Sequence, residues 1–403
     1  MTSLSNSVRR VRYSIMNQPL LNTLHSHLIA YPTPSNLNAS WNWGSLAGLC
    51  LVLQIVTGVC LAMHYTAHVD RAFASVQHIM RDVPSGWLLR YFHANGASFF
   101  FIVVYVHLFR GLYYNSYAQP RELVWLFGVV ILLMMILTAF IGYVRPWGQM
   151  SLWGATVITS LASALPIIGH AVVAWLWGGF AVDNPTLNRF YSAHYLLPFI
   201  LAALSLLHLA ALHQHGSTNP RGVNAQTDLV DFYPYYTSKD IVGLLIVSVF
   251  AVFLVFFYPD ILSHPDNNIP ANPYSTPAHI QPEWYFLWVY AILRSIPNKL
   301  AGVAAVGLVF LSLGSLPYLH KHPVRSAQFR LRQTWLYWTF LADCALLTWI
   351  GIMPVEAPYL LMGQLASVWF FLYLLVFLPL SAWLEQKRVT HLEQSEYYTA
   401  LSK

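Results

Sequence analysis

Charge is the scarcest commodity in this chain. Only 9% of its 403 residues are Asp, Glu, Lys or Arg, while 57% are hydrophobic and 15% aromatic; an ordinary soluble domain carries about 25% charge. So few ionisable groups cannot cover a solvated surface, which excludes a water-soluble globule. Cysteine is almost missing as well. Cys50, Cys60 and Cys344 all lie within apolar runs, which excludes both a disulfide framework and a CxxCH site for covalent haem attachment. The 21 basic residues give a formal charge of +6 but are dispersed, and they lack the basic stripe interleaved with aromatics that marks a nucleic-acid binder. There is no internal repeat or low-complexity tract, and no apolar h-region precedes Pro32 and Pro34, so no cleavable signal is expected.

What the chain has in abundance is long apolar runs. A membrane helix needs about 20 such residues, and eight candidates lie near 43–63, 87–113, 123–143, 185–211, 240–258, 300–318, 334–353 and 361–383. The expected fold is therefore all-α, a polytopic membrane protein with eight transmembrane helices, preceded by a short interfacial helix over residues 17–30. An even number of spans puts both termini on one side. That side collects 14 basic residues (Arg9, Arg10, Arg12, Arg110, Arg121, Arg221, Lys239, Lys321, Arg325, Arg330, Arg332, Lys387, Arg388, Lys403), and the other collects seven (Arg71, Arg81, Arg90, Arg145, Arg189, Arg294, Lys299). The positive-inside rule then turns the termini toward the cytoplasm or matrix. On the outer side, segments 144–184 and 259–298 are too long and patterned to be simple connectors.

Histidine is the informative residue inside the lipid. His93 and His107 lie in the second span and His194 and His208 in the fourth, each pair 14 residues apart. Random placement of 17 histidines already yields somewhat less than one pair at any given spacing, so spacing alone decides little. Topology decides more. Fourteen residues at about 100° and 1.5 Å each return to within about 40° of the same face, about 21 Å further along the axis. The two spans run in the same direction, so the histidines face each other at two depths. Opposed neutral imidazoles suit the axial positions of a b-type haem, and a six-coordinate iron favours electron transfer. A satisfied core histidine is the ordinary alternative for any one of them. Four in register are better explained as ligands, since ionisable groups in a bilayer are costly.

Glycines repeat the spacing. Gly44 and Gly58 in the first span, and Gly128 and Gly142 in the third, are also 14 apart. Packing of the small-xxx-small kind is one reading; room for a porphyrin is the other, and the shared spacing favours two haems in one four-helix bundle. Arg90 and Arg110 each lie three residues from a histidine of the quartet, within reach of haem propionates.

Longer stretches carry a family resemblance. WNWGSLAGLCLVLQIVTG, HANGASFFFIVVYVH, FRGLYY, GYVRPWGQMSLWGATVIT, HYLLPF through LHLAALH, PYYTSKD and QPEWYFLWVYAILRSIPNK resemble cytochrome b, the dihaem subunit of respiratory complex III, from about residue 17 to 385. The chloroplast counterpart is split in two and spaces its second histidine pair by 15, so the unbroken chain resembles the respiratory, mitochondrial type. The resemblance implies a region 1–220 with the haem bundle (spans one to four) and a region 221–403 (spans five to eight) with the Pro-Glu-Trp-Tyr loop. His93 and His194 would hold a low-potential haem near the outer side, His107 and His208 a high-potential haem near the inner side. Glu283, Pro282, Trp284, Tyr285, Tyr143, Gly154, Phe140 and Tyr290 would surround a ubiquinol at the outer site. His213, Ser217, Lys239 and Asp240 would line a quinone-reducing site at the inner side. The resemblance further implies a Rieske iron-sulfur protein, a cytochrome c-type subunit and other complex III subunits as partners, a homodimeric complex, and the mitochondrial inner membrane with both termini in the matrix.

The chemistry agrees with that implication. Quinol oxidation releases two protons, so a carboxylate such as Glu283, raised in pKa by an apolar loop, suits the outer site; capping of the following helix is its bland alternative. Quinone reduction consumes protons, which His213 and Asp240 can supply. Two positions depart from the family pattern. Arg145, between Tyr143 and Pro146, stands where a small or apolar residue is usual and would raise the potential of the outer haem unless it snorkels to water. His215 stands where an uncharged or acidic residue is common. A haem-free proton transporter leaves the paired spacing unexplained. A dihaem anchor of a dehydrogenase would not need the Pro-Glu-Trp-Tyr loop.

Overall fold

The computed structural model describes residues 18–387, so Arg9, Arg10, Arg12, Arg388 and Lys403 of the topological tally lie outside the described residues. Its helices are α1 (Pro19–Leu28), α2 (Trp43–Ala62), α3 (Ala72–Arg81), α4 (Gly86–Tyr113), α5 (Glu122–Val144), α6 (Gln149–Ser160), α7 (Gly169–Trp177), α8 (Asn184–His215), α9 (Phe232–Phe257), α10 (Leu287–Ser295), α11 (Lys299–Leu319), α12 (Leu331–Ile350) and α13 (Tyr359–Leu372), the last continuing through a wide turn at Tyr373–Phe377 to Lys387. The protein is an all-α polytopic membrane protein. Among the described residues, seven helices are long and apolar enough to cross a bilayer. The remaining expected span, near 334–353, corresponds to α12, a 20-residue helix that is not among those seven. Arg332, Gln333 and Asp343 leave it less apolar than the other seven.

The expected interfacial helix is present as α1, which has no buried residue. It leads into β1 (Pro32–Pro34), which pairs antiparallel with β2 (Leu229–Asp231) in the register Pro32 to Asp231. This small ribbon fastens the start of the chain to the start of α9. The outer segments are helical too: α6 and α7 fold between the third and fourth spans, and α10 follows the Pro-Glu-Trp-Tyr loop.

Local signals explain the helix that carries His194 and His208. Asp183 and Thr186 form a reciprocal capping box at the start of α8, with Pro185 in its first turn. Pro198 then interrupts the helix interior. It lacks the N–H that would bond the carbonyl of His194, so the backbone is loosened just beyond that residue.

The first four spans pack as two close pairs, α2 with α4 and α5 with α8. Midway between the two histidine levels sits an apolar layer of Leu51, Phe100, Phe101, Met135 and Leu201, all buried, joined by Tyr285. Leu51, Phe100, Met135 and Leu201 each fall seven residues from the glycine or histidine on either side. Seven residues are nearly two full turns, so on every helix one stripe reads site, apolar layer, site.

A second core joins α10, α11, α12 and α13 through Trp288, Ile292, Val309, Leu313, Phe340 and Phe370. It is tied to the histidine-bearing bundle by specific hydrogen bonds. The Trp125 indole donates to the Leu313 carbonyl at 2.6 Å, the Tyr105 hydroxyl donates to the Tyr285 carbonyl at 2.5 Å, and the Trp288 indole donates to the Tyr105 oxygen at 3.0 Å. At the inner end, buried Arg330 donates to the Glu385 carboxylate at 2.5 Å and contacts His320, whose other ring nitrogen meets the Tyr117 hydroxyl at 2.6 Å. Burial, helped by the Arg330 charge, pushes the pKa of His320 down to about 3, so this brace stays neutral at its histidine.

The segment after the outer loop is seated by a glycine. A Cβ on Gly351 would fall 2.6 Å from both the Cβ and the carbonyl oxygen of Leu287, the first residue of α10. Gly351→Ala is therefore expected to destabilise by about 1–3 kcal/mol through displacement of α10, read as a lower thermal unfolding midpoint in detergent. An unchanged midpoint would show that the contact yields freely.

Candidate functional site

Each histidine pair faces across the bundle at nearly the same distance. The ring centres of His93 and His194 are 6.2 Å apart with planes at 80°, and those of His107 and His208 are 6.3 Å apart with planes at 67°. A metal–nitrogen bond of about 2 Å on each side, plus about 1.1 Å from ring centre to nitrogen, gives about 6 Å. Both gaps thus fit one metal ion held between two imidazoles.

Hydrogen bonding fixes which nitrogen is offered. His194 Nδ1 lies 2.8 Å from the Thr138 carbonyl and must donate to it, leaving Nε2 with its lone pair. Thr57 Oγ1 gives its proton to the Leu53 carbonyl at 2.7 Å and so accepts from His93 Nδ1 at 2.9 Å, with the same result. At the inner pair, Arg110 Nη2 donates to His107 Nδ1 at 3.2 Å while its buried Nε has no partner. An acid group drawn to this guanidinium would satisfy it and release His107 Nδ1, which matches the carboxylates of a haem.

The four glycines have an immediate steric role toward the histidines. A Cβ on Gly58 would stand 3.0 Å from His93 Cε1, on Gly44 3.3 Å from His107 Cε1, on Gly128 3.4 Å from His208 Cε1, and on Gly142 2.4 Å from His194 Cε1. Each glycine therefore clears its own partner helix's imidazole. The histidines reach the bundle axis because these positions have no side chain.

A cavity of about 680 Å³ opens at the outer pair, walled by His93, His194, Arg90, Arg145, Glu283 and Tyr285 among others. That volume suits a cofactor or drug-sized ligand. A smaller pocket of about 30 Å³ adjoins it and brings together Phe140, Tyr143, Gly154, Pro282, Glu283 and Tyr290. Glu283 is common to both walls. Its side chain makes no capping hydrogen bond to the helix it precedes. Burial pushes its carboxyl up to about 7, with the Tyr143 hydroxyl and the Arg90 guanidinium opposing the rise. A group so poised takes up and releases protons near neutrality.

The other two residues of the loop turn elsewhere. Trp284 donates to Ser98 Oγ at 3.0 Å, and Tyr285 stacks on Phe101 with ring centres 4.1 Å apart. They secure the loop to α4, and Tyr285 also walls the large cavity.

At the inner end, His213 is brought to two residues that sequence reasoning missed. Its Nδ1 lies 2.9 Å from Nδ1 of His27, with the rings coplanar to 3°, and Tyr31 stacks on it at 4.0 Å. The β1–β2 ribbon is what carries the N-terminal segment there, a long-range pairing with no local sequence signal. Asp240 lies beside Ser45. Lys239 donates to the Leu37 carbonyl at 3.0 Å and Ser217 to the Thr218 carbonyl at 3.0 Å, so both are engaged with backbone. His215 is exposed, and its carbonyl accepts from Arg121 at 3.0 Å.

Fold and site define a polytopic helical membrane protein built around two His/His pairs at two depths. Comparison with known proteins makes this specific. The family model described as cytochrome b/b6/petB matches residues 28–216, and the model described as cytochrome b (C-terminal)/b6/petD matches residues 270–371. The chain is 67% identical over 362 residues to cytochrome b of Marchantia polymorpha, covering 90% of each chain, and 64% identical over 367 residues to that of Arabidopsis thaliana, covering 91% of this chain and 93% of the relative. A solved structure described as hyperthermophilic respiratory complex III is 35% identical, with a TM-score of 0.86, covering 92% of this chain and 98% of that one. The chain belongs to the cytochrome b family, whose members bind haem b and form the electron-transfer and quinol-oxidation core of complex III.

Gly142→Ala tests the clearance that glycine provides. With a Cβ at 2.4 Å the His194 ring must move, so any b-type absorbance that depends on the His93/His194 pair is expected to fall several-fold while absorbance that depends on the His107/His208 pair persists. Retention of both bands would mean that α5 and α8 separate instead.

Proposed function

We propose that this chain is the dihaem, quinol-oxidising catalytic subunit of a mitochondrial ubiquinol:cytochrome c oxidoreductase. The observation that carries the proposal is the pair of metal-wide gaps between imidazoles, set two depths apart in one bundle. In this reading His93 and His194 hold one b haem and His107 and His208 the other. Arg90 and Arg110 hold their acid groups. Bound there, the two groups supply a one-electron relay across most of a hydrocarbon core about 30 Å thick.

The residues at the outer end prepare the quinol. Phe140, Gly154, Pro282 and Tyr290 give it an apolar slot. Glu283 accepts a hydroxyl proton when ionised, and its place on both walls lets it deliver that proton toward Arg90 and the outer surface. One electron leaves to a Rieske iron-sulfur partner and thence to a cytochrome c-type subunit. The other would reach the inner end, and for every two electrons delivered there His213, supported by His27 and Tyr31, and Asp240 would return two protons to a quinone. Proton release outside and uptake inside amount to translocation. The sidedness of basic residues supports both termini in the matrix of the mitochondrial inner membrane, within a homodimeric complex. The division into 1–220 and 221–403 follows the same reading, with the haem bundle in the first region and the Pro-Glu-Trp-Tyr loop in the second.

Redox-resolved optical spectra of the solubilised complex test the proposal as a whole: two b-type bands with distinct midpoints are expected, and absence of a reduced b band ends it. Because Glu283 must be ionised to accept a proton, quinol oxidation is expected to rise with pH through about 7. Glu283→Gln should remove that limb and slow turnover about a hundredfold with both haem spectra intact; an unaltered pH profile would take Glu283 out of the mechanism. His213→Leu should slow reoxidation of the inner haem by quinone about tenfold or more, and normal kinetics would count against its role.

A further inference from the structure

Arg145 lies outside the roles assigned so far. It follows α5 directly and lines the large outer cavity together with His194 and Arg90. Its guanidinium is sandwiched between two aromatic rings, 4.7 Å from the centre of Tyr65 and 5.0 Å from that of Tyr191. The Tyr65 hydroxyl donates to the Arg145 carbonyl at 2.7 Å, so backbone and side chain are both clamped against snorkelling to water.

The charge so placed is uncompensated. Its Nε is buried without a partner. Among the described residues the ion pairs do not include Arg145, and its charged neighbour is Arg90, which repels it. Aromatic faces stabilise a cation only modestly, and a buried charge normally has a counter-ion. Two arginines facing one cavity therefore call for an anionic occupant at that end.

Resting on the proposed function, we infer that Arg145 is a second cation on the acid side of the outer haem, beside Arg90, and that it raises that haem's reduction potential. A reduced haem carries one more negative charge than an oxidised one, so a fixed cation favours the reduced form. A unit charge roughly 10 Å away, at an effective dielectric constant of about 20, shifts a one-electron equilibrium about tenfold. The inner haem, about 21 Å further along the axis, feels far less. Arg145 thus narrows the potential gap between the two levels and holds the outer level more reduced at a given quinol pressure.

The test is potentiometric titration of both b bands in the intact solubilised complex. Arg145→Leu is expected to lower the outer midpoint by about 59 mV, the equivalent of tenfold for a one-electron couple, leaving the inner midpoint in place. Arg145→Lys should stay close to wild type. If Arg145→Leu does not assemble, Arg145→Gln, closer in shape, carries the same measurement. An unmoved outer midpoint in a variant containing both haems overturns the inference, as does a Lys variant that behaves like the neutral one. Fewer than two b haems in the wild-type complex would instead overturn the proposed function on which it rests.

Discussion

Everything in the haem-type bundle depends on how closely an imidazole can approach a neighbouring backbone. Gly44, Gly58, Gly128 and Gly142 each leave a His Cε1 atom where a Cβ would otherwise press against it. That contact lets α2 lie against α4 and α5 against α8, and it sends four rings to the axis, where they end about 6.2–6.3 Å apart in pairs. Packing this tight transmits small changes of volume. Hydrogen bonds from Nδ1 to Thr57 and Thr138 then turn two of the rings to present the other nitrogen. Sterics sets the gap, and hydrogen bonding sets the chemistry offered across it.

Around that scaffold, a few ionisable groups work in surroundings that can barely screen them. Glu283 is held near neutrality by burial, with Tyr143 and Arg90 pulling the other way. Arg90, Arg110 and Arg145 are partly buried cations, and the Nε atoms of Arg110 and Arg145 are buried without a partner. In water such groups would be unremarkable; in a low-dielectric cavity each exerts a field over many ångströms. The loop that delivers Glu283 is correspondingly well anchored, through Trp284 to Ser98, Tyr285 to Phe101 and Leu287 to Gly351.

Much of this was legible in the sequence because lipid imposes simple rules. Apolar runs of the right length gave the spans, and a shared spacing of 14 singled out both the histidines and the glycines. What periodicity could not show was the partner of each glycine, since clearing a porphyrin and clearing an imidazole demand the same missing side chain. The inner site was the least readable. His27 and Tyr31 reach His213 only through the pairing of Pro32–Pro34 with Leu229–Asp231, and such long-range pairings leave no periodic trace. The α12 helix was legible as a helix, yet its polar residues set it apart from the other spans. Arg145 stood out in the sequence, but only its clamping between Tyr65 and Tyr191 decides that it faces the cavity.

The apolar layer at mid-depth, Leu51, Phe100, Met135 and Leu201 with Phe101 and Tyr285, gives the bundle a kind of selectivity. An electron can tunnel through packed hydrocarbon over distances of this order, whereas a proton needs a chain of water or polar groups, and the side chains of this layer provide almost none. The plug is a conductor for one particle and an insulator for the other. A membrane machine that stores energy by separating the two must prevent them from recombining along the same route, and in the proposed function the few side chains that fill this core would serve against that short circuit.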